Sequence, residues 1–68
     1  SWEDRVPQGV LTEREQDVAR LVSSGRSNKE IAETLGISLN TVKTHLKHIV
    51  VKLDVRDRVG VAIAWRGR

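Results

Sequence analysis

The stretch from Ser38 to Leu53, SLNTVKTHLKHIVVKL, constrains this chain more than any other. Taking about 100° of helical turn per residue from Val42, Leu46, Ile49 and Leu53 fall within about 40° of it, a narrow apolar stripe that has to be buried. Asn40, Lys43, Thr44 and Lys47 fall on the opposite side, at about 100–200°. Such a helix commits one side to a core and presents two cations and two small hydrogen-bonding groups on the other. Phosphates and base edges are recognised by that combination, and an ordinary solvated surface helix carries it too. Ser38 stands where an N-cap belongs, directly before the periodic run.

What precedes this helix decides between the two readings. Thr12 and Glu15 have the spacing of a capping box, with Leu11 placed as a hydrophobic staple, so a first helix is expected from Thr12. Val18, Leu21 and Val22 form its buried stripe, and Gly25 is expected to end it in a left-handed cap. Ser27 and Glu30 repeat the box, followed by Ile31, Ala32 and Leu35 on one face of a short second helix. Gly36 supplies positive φ for a tight turn and Ile37 plugs the corner before Ser38 opens the third helix. Two helices joined by a short Gly-containing turn describe a helix-turn-helix whose second helix is the reader. In that context Asn40, Lys43, Thr44 and Lys47 become a candidate binding surface.

Downstream, Asp54 and Val55 break the third helix and Asp57 caps a fourth, Arg58 to about Trp65. The expected class is therefore all-α, a compact four-helix domain containing a helix-turn-helix. Val59, Ala62 and Ile63 share one face and are expected to close the core. Val61, Ala64 and Trp65 cluster about 140–240° from Val59 and form a candidate self-association surface, with Gly60 leaving a notch for a partner helix. The bland alternative is that Trp65 folds over the domain edge. Glu15, on the core side of the first helix, is expected to pair with Arg58 or Lys52 for structural reasons.

Length and charge narrow the function. The 68 residues leave room for one domain with a small core. Residues 1–37 carry five basic and seven acidic side chains, and residues 38–68 seven basic and two acidic. A basic half beside an acidic one is the footprint of a polyanion binder. The aromatic residues are Trp2 and Trp65, too few for a single-strand stacking platform. No Cys is present, and His45 and His48 form an H-x-x-H with no evident third ligand, so neither metal nor cofactor is expected. No nucleophile–base–acid arrangement is evident, so an enzyme is not expected either. No apolar run reaches a membrane span and no leader is recognisable, which makes the expected place the cytoplasm. Residues 1–9, SWEDRVPQG, read as a linker or arm and residues 10–68 as the domain. A start at Ser1 rather than Met is what a piece of a longer regulator would show.

The blocks LTEREQDV, GRSNKEIAETLGIS, TVKTHLKHI and KLDVRDR, in this order and spacing, resemble the LuxR-type (GerE-like) DNA-binding domain. The likeness runs from Leu11 to about Ala64. It implies a four-helix domain that ends NarL/FixJ response regulators and quorum-sensing regulators. It implies Lys43, Thr44 and Lys47 in the major groove with Asn40 at its edge, and phosphate contacts from Ser27, Asn28, Lys29 and Thr41. It also implies a homodimer through helix four on repeated half-sites and a regulatory domain on the N-terminal side; RNA polymerase is a further candidate partner. The departures are Gly60, where a helix-favouring polar residue is commoner, and Asp57, where a small polar residue is frequent. The rival from another class is a helical module that binds RNA polymerase or a receiver domain and has no DNA specificity of its own.

Overall fold

Each described helix starts on a side chain that accepts from one of the helix's own free N–H groups. A computed structural model describes residues 9–67, which form α1 (Glu13–Ser23), α2 (Asn28–Leu35), α3 (Leu39–Leu53) and α4 (Arg58–Arg66). The caps are Thr12, Ser27, Ser38 and Asp57, and both expected capping boxes are complete. In the first, Thr12 Oγ1 accepts from Glu15 N–H at 3.1 Å and Glu15 Oε1 accepts from Thr12 N–H at 2.8 Å. The proposed arm, Trp2 included, and Arg68 lie outside the described residues. Gly9 is described, and its N–H donates to the Lys52 carbonyl at 2.9 Å, which ties the start of the described residues to the end of α3.

The helix ends are equally local. Helix α1 stops at Ser23, with Ser24 as its C-cap and Gly25 one step beyond at φ +87°. Gly25 N–H then donates to Val22 C=O and Arg26 N–H to Leu21 C=O, the paired bonds of a Schellman turn. Gly36 turns the chain at φ +67° between α2 and α3. Asp54 closes α3 in the left-handed region, φ +55°, a conformation that a short polar side chain tolerates.

The core draws on every helix: Val18, Ala19, Leu21 and Val22 from α1, Ile31 and Ala32 from α2, Val42 and Ile49 from α3, and Val61 from α4. Leu46 and Leu53 pack against it, so the α3 stripe is buried as its periodicity requires. Removing each large aliphatic side chain from water is worth about 1.5–3 kcal/mol.

Helix α4 departs from expectation. Val61 is fully buried at 0% exposure, while Val59 and Ile63 are 64% and 66% exposed. Ala62 packs against the core as expected, but the larger residues change places: Val61 and Trp65 turn inward, and Val59 and Ile63 turn out. The pattern offered two apolar arcs of similar strength, and the contact with the α3–α4 connection chose between them. Gly60 takes part in that choice. A Cβ placed on it would lie 2.8 Å from Val55 Cβ, so the notch expected to admit a partner helix is filled from within the domain.

Candidate nucleic-acid interface

The outward side of α3 follows from its inward side. Val42 and Ile49 are completely buried, which fixes the helix's rotation about its axis and leaves Asn40, Lys43, Thr44 and Lys47 exposed together. Among the described residues no carboxylate pairs with Lys43 or Lys47. The Thr44 hydroxyl donates to the Asn40 carbonyl at 3.1 Å, so its proton is used within the helix and its methyl and lone pairs are left for a partner. Leu39 is also exposed, at the first position of α3. The sequence reading passed over it because it is apolar. Its angle of about 60° from Val42, outside the buried stripe, was the signal that could have found it.

The start of α2 is rich in donors. Ser27 forms its capping box by accepting from Glu30 N–H and donating its own N–H to Glu30 Oε1, which leaves its hydroxyl proton unused by the box. The N–H groups of Asn28 and Lys29 have no acceptor among the described residues, and they point out of the positive end of the helix dipole. Lys29 is exposed and Asn28 half-buried. Asn28 Oδ1 accepts from Arg58 Nη1, so its carbonyl oxygen is taken. Thr41, half-buried near the start of α3, has its hydroxyl 2.8 Å from Ser38 Oγ and its N–H bonded to the same oxygen at 3.0 Å.

The third lysine of α3 has a different task. Lys52 is 8% exposed, and its Nζ lies 2.6 Å from Glu15 Oε1, itself 3% exposed. The expected structural pair is thus Glu15 with Lys52. Arg58 is drawn instead to Asn28 and to the Arg26 carbonyl. Burial pushes the Glu15 carboxyl up, but the bond from Lys52, the Thr12 backbone N–H and the Lys52 charge outweigh it and hold it below 4.5. On the same flank of α3, His48 Nδ1 stands 3.8 Å from Glu15 Oε2. His45 is pushed below its ordinary 6.5, first by burial, with Glu15 opposing and His48 and Arg14 assisting. Among the described residues no group of three His, Cys, Asp or Glu could hold a metal ion. No helix there is long and apolar enough to cross a membrane.

The proposed dimer residues are divided by the fold. Val61 belongs to the core and cannot meet a partner, whereas Ala64 and Trp65 remain half-buried. They border a recess of about 350 Å³ with Gly9, Leu11, Gln16 and Leu53. Val59 and Ile63, which the sequence assigned to the core, are the exposed large apolar residues of α4.

Two helices joined by a Gly turn, the second held rigidly with a cationic outer face, define a helix-turn-helix domain of the DNA-binding class. Residues 9–65 match the family model "Bacterial regulatory proteins, luxR family". The chain is 46% identical over 63 residues to the transcriptional regulatory protein LiaR of Bacillus subtilis, covering 93% of this chain and 30% of that protein. It is 51% identical over 59 residues to the nitrate/nitrite response regulator NarP of Escherichia coli, covering 87% and 27%. It is also 55% identical over 51 residues to a putative HTH-type transcriptional regulator of Mycobacterium bovis, Mb0914c, covering 75% and only 6%. This chain belongs to the luxR family of bacterial regulatory proteins, as a LuxR-type helix-turn-helix DNA-binding domain. It spans less than a third of the length of these relatives.

Proposed function

We propose that this domain binds double-stranded DNA sequence-specifically, as the effector unit of a two-component response regulator working in the bacterial cytoplasm. The carrying observation is the outer face of α3: two lysines with no carboxylate partner among the described residues, beside Asn40 and Thr44, on a helix whose rotation is locked by Val42 and Ile49. Helix α3 enters the major groove, and Lys43 and Lys47 donate to guanine O6 and N7 while Thr44 offers its methyl to thymine. Asn40 works at the groove edge. Ser27, Asn28, Lys29 and Thr41 hold phosphates and set register, chiefly through the N–H groups that open α2.

A dimer reads two half-sites about one helical turn, 34–36 Å, apart. The α4 face that supports dimerisation is Val59 and Ile63, rather than the core residue Val61. An N-terminal receiver domain supplies the switch; the similarity to response regulators such as NarP and VraR supports this. The same exposed pair supports the rival reading, an α4 surface for RNA polymerase or a receiver domain without DNA specificity.

The test is selection from a random duplex pool at two salt concentrations, read by sequencing. An enriched, repeated half-site is expected, and Lys43→Ala and Lys47→Ala should abolish the preference without unfolding the domain. Binding with no enriched sequence, lost at moderate salt, would leave only phosphate attraction and favour the protein-binding reading.

A further inference from the structure

The α1–α2 turn is gripped from α4. Arg58 donates from Nη1 to Asn28 Oδ1 and from Nη2 to the Arg26 carbonyl, while Arg66 Nη2 donates to the Ser23 carbonyl. Charge alone does not put Arg58 there. A cation in the first turn of a helix faces the positive end of its dipole, and neither of its two acceptors is a carboxylate. What the site uses is the guanidinium fork, which reaches two acceptors at once as an ammonium on a flexible stem does not.

The consequence falls on Asn28. An asparagine side chain has one acceptor oxygen and one NH₂ with two donors. With Oδ1 turned to Arg58, the NH₂ of Asn28 is directed away from it, next to the N–H groups of Asn28 and Lys29, neither of which has an acceptor among the described residues. A cluster of donors at the positive end of a helix is the chemistry an anionic phosphate oxygen requires.

We propose that Arg58 is a positioning residue for backbone binding: without touching DNA, it turns Asn28 so that the amide NH₂ meets the phosphate held at the start of α2. This rests on the DNA-binding reading above. It also makes the phosphate site depend on the seating of α4, because Arg58 is the first residue of that helix.

The test measures affinity of the domain across a salt series for the selected duplex, or for a short random-sequence duplex if none is enriched. The variants are Asn28→Ala, Arg58→Ala, Arg58→Lys and the Asn28/Arg58 double alanine. Each single alanine is expected to weaken binding about tenfold, the worth of one hydrogen bond to a charged group. The double variant should be no worse than either, because both remove the same contact. The salt slope should stay unchanged, since an amide neutralises no phosphate, and lysine should not rescue. A slope lower by about 0.9 in Arg58→Ala, restored in Arg58→Lys, would show Arg58 neutralising a phosphate itself and overturn the proposal. Multiplying losses would overturn it too. Should Arg58→Ala not fold, Asn28→Asp carries the test. It keeps an oxygen for Arg58 and loses the NH₂, so it should melt no lower than wild type yet bind worse; wild-type affinity would overturn the proposal. A wild-type domain that binds no duplex at any salt would overturn the DNA-binding reading and this inference with it. Wild-type binding with independent losses would overturn this inference alone.

Discussion

Helices α3 and α4 face the same problem, one side in and one side out, and they solve it with different means. On α3 the outward arc carries Asn40, Lys43, Thr44 and Lys47, and the inward arc Val42, Leu46, Ile49 and Leu53. Either arc alone would fix the helix's rotation. On α4 both arcs are apolar: Val61 is buried, with the half-buried Ala62 and Trp65 packed against the core, while Val59 and Ile63 stay out. Nothing in the α4 side chains themselves forbids the opposite choice. Burial on α3 is decided by the helix's own chemistry, and on α4 by its neighbours, α1 and α3 and the Val55 side chain against which Gly60 sits. Contrast between faces, more than apolar content, is what makes a helix's orientation readable.

The largest effect that sharpens this division lies on the flank of α3 that turns to α1. Lys52 and Lys43 are the same residue type on one helix, but Lys52 is buried against Glu15 and Lys43 is exposed. Glu15→Ala leaves an unpaired buried cation and should cost about 3–5 kcal/mol. A domain of this length has about 3–10 kcal/mol in all, so the variant should be largely unfolded at 37 °C. Lys43→Ala should change stability by no more than about 0.5 kcal/mol. Urea unfolding followed by circular dichroism checks both, and similar small losses would mean that the Glu15–Lys52 pair is solvated rather than buried.

On α4 the comparison can be broken by truncating each arc. Val61→Ala should cost about 2 kcal/mol, the transfer of the removed carbons plus part of the cavity they leave. Val59→Ala and Ile63→Ala should each stay within about 0.5 kcal/mol. The reverse ranking would restore the face assignment expected from the sequence. Gly60→Ala is the subtler probe, because two effects oppose. Alanine gains about 1 kcal/mol of helix propensity over glycine. The new Cβ, 2.8 Å from Val55 Cβ, meets a stiff β-branched side chain close to its backbone, and overpacking of that kind costs about 1–3 kcal/mol. A net loss of about 1 kcal/mol is expected in thermal unfolding. A gain would show that Val55 moves aside freely.

The same contrast explains what could be read in advance. Caps and turns are local chemistry, so Thr12, Ser27, Ser38, Asp57 and Gly36 stood where the structure has them. The outer face of α3 was legible because charge and apolarity separate cleanly around it. Arg58 was not, because nothing in its own segment says that its acceptors are Asn28, thirty positions earlier, and the Arg26 carbonyl. Glu15 announced a basic partner, but choosing Lys52 over Arg58 needed the packing of α1 on α3. Val61 failed for the reason already given: an apolar residue between two apolar arcs has no preferred side until its neighbours are known.

The smallest effect concerns pH and again sets the inner flank of α3 against its outer face. His45 is held below 6.5 chiefly by burial, so the folded domain resists a proton that the unfolded chain accepts. Its contribution to stability is complete above 6.5 and is lost as the pH falls through its folded value. Glu15, held below 4.5, contributes above that value and loses its contribution as the pH falls through its own folded value. Urea midpoints should therefore decline in two stages on acidification, the first belonging to His45 and the second to Glu15. His45→Gln should flatten the first stage and spare the second, whereas Lys47→Gln, on the exposed face, should leave both. If His45→Gln keeps the first stage intact, burial of that imidazole is not what opposes its proton.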